Sequence, residues 1–191
     1  CWDETGAILV PLKWVDTNKG DDEDPNYRSR IVAREIKRAK KIWQKLKPQD
    51  LFSSMPPLEG MRILVSIMMT LRKSVRKKPL RMALFDISRA HFNGVARRKV
   101  YVDLPVEEGA PPGTCGMLLQ GMYGTQDASN IWQCDYTALM ISGGHKVGVS
   151  NTAVFVGEDE ERTLVHGDDF LTLGDEDSIV KMETLLKTKY D

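Results

Sequence analysis

Along the chain, short β-forming apolar runs alternate with segments whose apolar positions recur at helical spacing, so strands and helices are mixed. Ile8–Val15 reads as a strand interrupted by Pro11, and Tyr27–Ala33 as a strand returning from a Gly/Pro loop rich in acids. Pro57 suits the first residue of a helix, along which Met61, Leu64, Val65, Met68, Leu71 and Val75 form a core-facing stripe. The Lys/Arg cluster that follows and Pro79 end it. Leu80–Asp86 is a short buried strand terminating in a carboxylate, with Ser88–Phe92 as a helical turn after it. Val100–Leu104 is a further strand, and Glu107–Gly113 a Pro/Gly loop. Asp127 is placed to cap a helix whose inner face carries Ala128, Ile131, Trp132, Tyr136, Leu139 and Met140, closed by Gly143 and Gly144. Thr152–Val156 and Thr163–Leu173 supply the last strands, and Asp177 caps a final helix with Ile179, Met182, Leu185 and Leu186 inward. That order predicts an α+β fold: a mixed, mainly antiparallel sheet with helices on one face.

Composition changes this picture little. At 191 residues, 41% hydrophobic and 28% charged, the chain suits one globular domain or a domain plus a lobe. No apolar run of about 18 residues occurs, so no membrane partner is expected. The first residue is Cys1, not Met, and no signal peptide is visible, which leads us to expect a fragment or processed piece. Cys1, Cys115 and Cys134 lack metal-ligand spacing and are expected to be reduced. The 27 basic and 27 acidic residues cancel, but unevenly. Nine Lys/Arg stand against Glu35 alone between Arg28 and Lys47, and six more fall between Arg72 and Arg81. Such segments are either a polyanion footprint or solvated helix faces, and charge alone leaves both readings open.

Candidate chemistry centres on Thr163–Leu173. Gly167, Asp168 and Asp169 interrupt two β-forming runs there, which reads as a hairpin with acids at its tip. Paired carboxylates suit Mg²⁺, although for the pair taken alone a solvated Asp-Asp turn, common in any protein, is the favoured reading. Asp86 weighs against that plainer alternative, because its strand is expected to lie beside the hairpin. Three acids from two distant segments would then meet, as a two-metal site requires. On the Tyr27–Ala33 strand, Arg28 and Arg30 lie two apart, hence on one face, where guanidinium forks can clamp phosphate. The alternative is two exposed arginines on an edge strand.

These residues resemble the reverse transcriptases of Copia-type LTR retrotransposons over nearly the whole chain. Phe85–Gly94, FDISRAHFNG, resembles the family's LDVKNAFLNG, and Val100–Pro105 its VYMEQP segment. Gly121–Trp132 is similar to SLYGLKQAPRAW, His166–Asp169 stands where the family has YVDD, and Tyr27–Arg34 matches the family's YKARLVARG. The resemblance implies right-hand polymerase fingers (1–79) and palm (80–191) in one reverse transcriptase domain. The sequence ends before the family's thumb and RNase H would begin. It implies that Asp86, Asp168 and Asp169 are catalytic and hold two Mg²⁺, that Arg28 and Arg30 contact the triphosphate, and that His91 sits at the sugar-discriminating position. Gln126 or Asp127 falls near a family Gln that touches the nucleotide. The implied partners are an RNA/DNA primer–template, dNTPs and the rest of a Pol polyprotein, including integrase and RNase H, in an intracellular setting (cytoplasmic particle or nucleus). Departures occur at His166, Gly167, His91 and Asp127. They leave a second reading, a degenerate element that folds and at most binds nucleic acid. A third, a metal-dependent phosphatase or nuclease on the same acids, lacks a nucleophile motif or histidine pair.

Overall fold

A computed structural model describes residues 9–35, 46–75 and 77–190. Ile8, Cys1, Arg76 and most of the first basic segment, 36–45, lie outside the described residues. The chain forms two compact units, Cys1–Phe52 with Gly94–Ile131, and Ser53–Asn93 with Trp132–Asp191.

In the first unit, β1 (Leu12–Asn18) and β2 (Tyr27–Ala33) form an antiparallel hairpin, so the strand begins after Pro11. Its loop is held by side chains: Asn18 Oδ1 accepts from the Gly20 and Asn26 amides, and Asp21 Oδ1 from those of Glu23 and Asp24. The Asp21 carboxyl lies below its ordinary range because of those amide hydrogen bonds. A second ribbon pairs β4 (Tyr101–Asp103) with β5 (Cys115–Met117), and Val10 bridges to Val102 in parallel. The short helix α1 (Pro48–Leu51) completes this unit, with Asn130 Nδ2 donating to the Gln49 and Phe52 carbonyls.

The second unit is a five-stranded antiparallel sheet in the order β3-β9-β8-β7-β6, comprising β3 (Arg81–Asp86), β6 (Lys146–Val147), β7 (Val154–Val156), β8 (Arg162–His166) and β9 (Asp169–Gly174). Alternation along β8 and β9 puts Val165 and Phe170 on one face, Leu164 and Leu171 on the other. The first face packs against helix α3 (Ala128–Ser142) through Trp132, Tyr136 and Met140, and against α4 (Glu176–Lys187) through Met182 and Leu186. The second receives α2 (Leu58–Leu71) on Leu64. Helices therefore cover both faces, which corrects the expected one-sided arrangement. The antiparallel α+β character stands.

Local expectations met mixed fortunes. The α3 stripe is buried throughout, and Gly144 at φ +85° ends the helix as foreseen. The α2 stripe is not a core face: among its expected members only Leu64 is buried, and Met61, Val65, Leu71 and Val75 are exposed. β3 lies at the sheet edge, with Leu84 exposed, and so is not the buried strand expected. Asp175, not Asp177, caps α4, accepting from the Ser178 amide at 3.1 Å. Cys134 is free and exposed, but Cys115 is disulfide-bonded, which corrects the expectation of reduced cysteines. Among the described residues no helix is long and apolar enough to cross a membrane.

Candidate active site

The β8–β9 hairpin turns on two residues, Gly167 and Asp168, between the paired His166 and Asp169. Gly167 has φ +67°, a backbone state that carries a steric penalty in residues with a Cβ. Glycine at the first central position of a two-residue loop is the II′ pattern, whose twist matches the flanking strands. The turn is fixed from beneath. The Trp132 indole Nε1–H donates to the Gly167 carbonyl at 2.7 Å. Trp132 is itself gripped edge-on by Tyr136, Phe170 and Tyr190.

Asp169 pairs with Asp86 across β9 and β3, and with His166 across β9 and β8. Directly opposed residues share a face, so His166, Asp169 and Asp86 form one row across three strands. Asp168 is one residue out of phase, on the exposed turn, and its carbonyl accepts from the Ile87 amide at 3.0 Å, extending the β3 ladder. Asp86 and Asp168 are exposed and Asp169 half-buried. Beside the row lies an apolar cavity of about 320 Å³, lined by Pro57, Met61, Val65, Leu84 and Leu164 with His166 and Asp169.

His91 lies on a 3₁₀ turn (Ala90–Phe92) that follows β3 through Arg89 at φ +52°. Burial pushes its pKa below the ordinary histidine value, and the Asp168 charge pulls weakly the other way. His91 thus feels the hairpin tip. Its neutral form is favoured.

Carboxylate oxygens are the donors a hard divalent cation takes. The donor chemistry of Asp86, Asp168 and Asp169 fits such an ion, and the backbone brings the three to one end of the sheet. Their side chains are not drawn around a common point: among the described residues no group of three or more His, Cys, Asp or Glu is arranged to hold a metal ion.

In the first unit, Arg28 and Arg30 are exposed on one face of β2, opposite Thr17 and Val15. The Gln126 amide donates to Glu35 Oε2 at 2.8 Å. Asp127 does not use its carboxylate as a helix cap, since both oxygens accept from Arg98, at 2.9 and 3.0 Å. Arg98 also forks onto Glu35. This buried Arg98–Glu35–Asp127 triad had no signal in the sequence, where Arg98 is one of three consecutive cations. The Trp132–Gly167 bond was also missed, because helical spacing marked Trp132 only as core.

The chain is 24% identical over 182 residues to the Retrovirus-related Pol polyprotein from transposon RE1 of Arabidopsis thaliana; the match covers 91% of this chain and 12% of that polyprotein's length. The resemblance to Copia-type elements, read from five short segments, is thereby supported. A model of the family described as reverse transcriptase (RNA-dependent DNA polymerase) matches residues 5–191, and the chain belongs to that family.

Proposed function

We propose that the chain carries the nucleotidyl-transfer site of an RNA-directed DNA polymerase from a retrotransposon Pol polyprotein. The observation that supports this most is the pairing of Asp86 with Asp169 on adjacent strands beside the Asp168 turn, in a chain of this family. Asp86 and Asp168 would hold two Mg²⁺, with Asp169 beside them. The chemistry such ions supply when bound is a lowered pKa at the primer 3′-hydroxyl and neutralised charge on the triphosphate and leaving pyrophosphate.

The other roles fall to the protein's own groups. Arg28 and Arg30, two apart on β2, would take phosphate oxygens of the incoming dNTP bidentately. His91, neutral beside Asp168, would meet the sugar, and Gln126 the nucleotide. Trp132 and Gly167 hold the hairpin tip still while the acids act. The substrates are dNTPs on an RNA/DNA primer–template, and the partners are the other Pol domains, including integrase and RNase H. In this reading, 1–79 serves as fingers and 80–191 as palm.

Primer extension on poly(rA)/oligo(dT) with Mg²⁺ tests the proposal, using this chain and one extended at its C-terminus. Extension that disappears in Asp168→Asn and Asp86→Asn is expected. Nucleic-acid binding with no extension by either chain would instead indicate an inactive element that only binds.

A further inference from the structure

Arg98 is an unusual cation. Its side chain is 9% exposed and Glu35's is 0%. Nη1 and Nη2 donate to Glu35 Oε1 and Oε2 at 2.7 and 2.5 Å, while Nε and Nη2 donate to Asp127 Oδ2 and Oδ1 at 3.0 and 2.9 Å. These bonds hold its pKa above the ordinary arginine value despite the opposing effect of burial.

Glu35 is used twice, because its Oε2 also accepts the Gln126 amide at 2.8 Å. It follows the end of β2 closely, and there the backbone is already tied to the same turn. The Ala33 amide donates to the Tyr123 carbonyl at 2.8 Å, and that of Glu35 to Gly124 at 3.4 Å. Gly124 stands at φ +88°, so close that a Cβ there would lie 1.9 Å from the Ala33 carbonyl oxygen. The strand bearing Arg28 and Arg30 and the turn bearing Gln126 are thus locked together by backbone and by charge.

A buried ion triad is a poor way to gain stability, since apolar side chains of similar volume often do as well or better. What it supplies is one fixed geometry. We infer that Glu35 and Arg98 are positioning residues for nucleotide binding, clamping the arginine strand to the 121–126 turn so that Arg28, Arg30 and Gln126 act as one rigid unit. Asp127 closes the clamp and does not touch the nucleotide, because both its oxygens are taken. Gln126 is therefore the nucleotide-facing member of that pair. This inference rests on the polymerase reading above.

Two variants of the full chain test it. Glu35→Gln weakens the clamp, and the apolar triple E35M/R98M/D127L keeps a filled interior without it. Amide hydrogen exchange is followed in peptides covering 27–33 and 121–127, beside dNTP KM and kcat for single-nucleotide extension. Exchange in both peptides should quicken together by about tenfold in Glu35→Gln, the factor carried by one hydrogen bond, and by less in the triple, whose interior stays filled. KM should rise about tenfold while kcat stays near that of the parent. Unchanged exchange in both variants overturns the clamp, whatever the activity. Faster exchange with an unchanged KM overturns its role in nucleotide binding. A parent that extends no primer while its variants show coupled exchange overturns the polymerase reading, and the nucleotide role with it, yet supports the clamp.

Discussion

Replacing Gly167 with alanine isolates the part that backbone conformation plays at the hairpin tip. A Cβ built on Gly167 meets nothing within 4 Å, so a methyl group there has open space. The penalty is therefore conformational and follows from φ +67°. Holding an L-residue in left-handed backbone space costs about 1–2 kcal/mol. Alanine also narrows the unfolded ensemble, which returns about 0.4–1 kcal/mol. Mid-range values, about 1.5 less about 0.7, leave a net loss of about 0.8 kcal/mol, or a fall in Tm of about 2–3 °C for a chain of this size.

Activity should fall further than stability. The turn carries Asp168, and its Gly167 carbonyl is the acceptor for Trp132. On the proposed polymerase reading, relaxing the turn to relieve strain shifts a carboxylate that acts only when held to a fraction of an ångström, at a cost of about tenfold or more in rate. Gly109 provides the control: it has φ +61°, and no atom within 4 Å of a built Cβ, on a turn remote in sequence from the acids. Gly109→Ala should lose similar stability and keep its activity. Thermal melts and primer extension on both variants separate the two effects. A Gly167→Ala protein that melts with the parent, or a Gly109→Ala protein that loses as much activity, would refute the reasoning.

Three further outcomes are expected. Because burial lowers the His91 pKa, the unfolded chain binds the proton more readily; its contribution to stability is present above about pH 6.5 and is lost as pH falls through the folded value. Denaturation midpoints of His91→Phe should decline less between pH 7 and 5 than the parent's, and a parallel decline would mean that His91 does not titrate in that window. Trp132→Phe removes the indole donor to Gly167 and should cost about 1 kcal/mol for that bond, with more for the smaller ring volume. An unchanged melt would show the bond to be dispensable. Arg28→Ala and Arg30→Ala should each lower the slope of log affinity against log salt by about one for every phosphate the arginine neutralises. A slope equal to the parent's places those arginines away from the polyanion.

What was legible in the sequence was local and periodic. β2 occupies Tyr27–Ala33 as read, with burial rising along it from the exposed Tyr27 to the buried Ala33. The α3 stripe was also correct, since six apolar positions at helical spacing outweigh everything else in that segment. The hairpin followed from a Gly-Asp break between β-forming runs, and the structure adds that Asp86 faces Asp169 in register. Periodicity misled at α2, where a correct helix was given the wrong burial. Spacing shows which residues share a face and is silent on how far a neighbouring sheet reaches across it. Here the sheet reaches Leu64, while Met61 and Val65 border the open cavity.

The α4 cap was misplaced for a related reason. Asp175 and Asp177 are equivalent as caps in sequence, and the choice falls to Ser74, whose hydroxyl donates to Asp175 Oδ2 at 2.8 Å across 101 residues. The Arg98 triad is the extreme case. Glu35, Arg98 and Asp127 lie far apart in the chain, and each by itself looks like surface charge. Only the fold brings them together, where the Arg98 guanidinium satisfies both carboxylates and the Gln126 amide adds a further donor to Glu35. Long-range polar pairs leave no period for sequence reading to detect, so residues of this kind need coordinates to be found. That is why the meeting of Asp86, Asp168 and Asp169 at one end of the sheet was legible in the sequence, while the Arg98 triad was not.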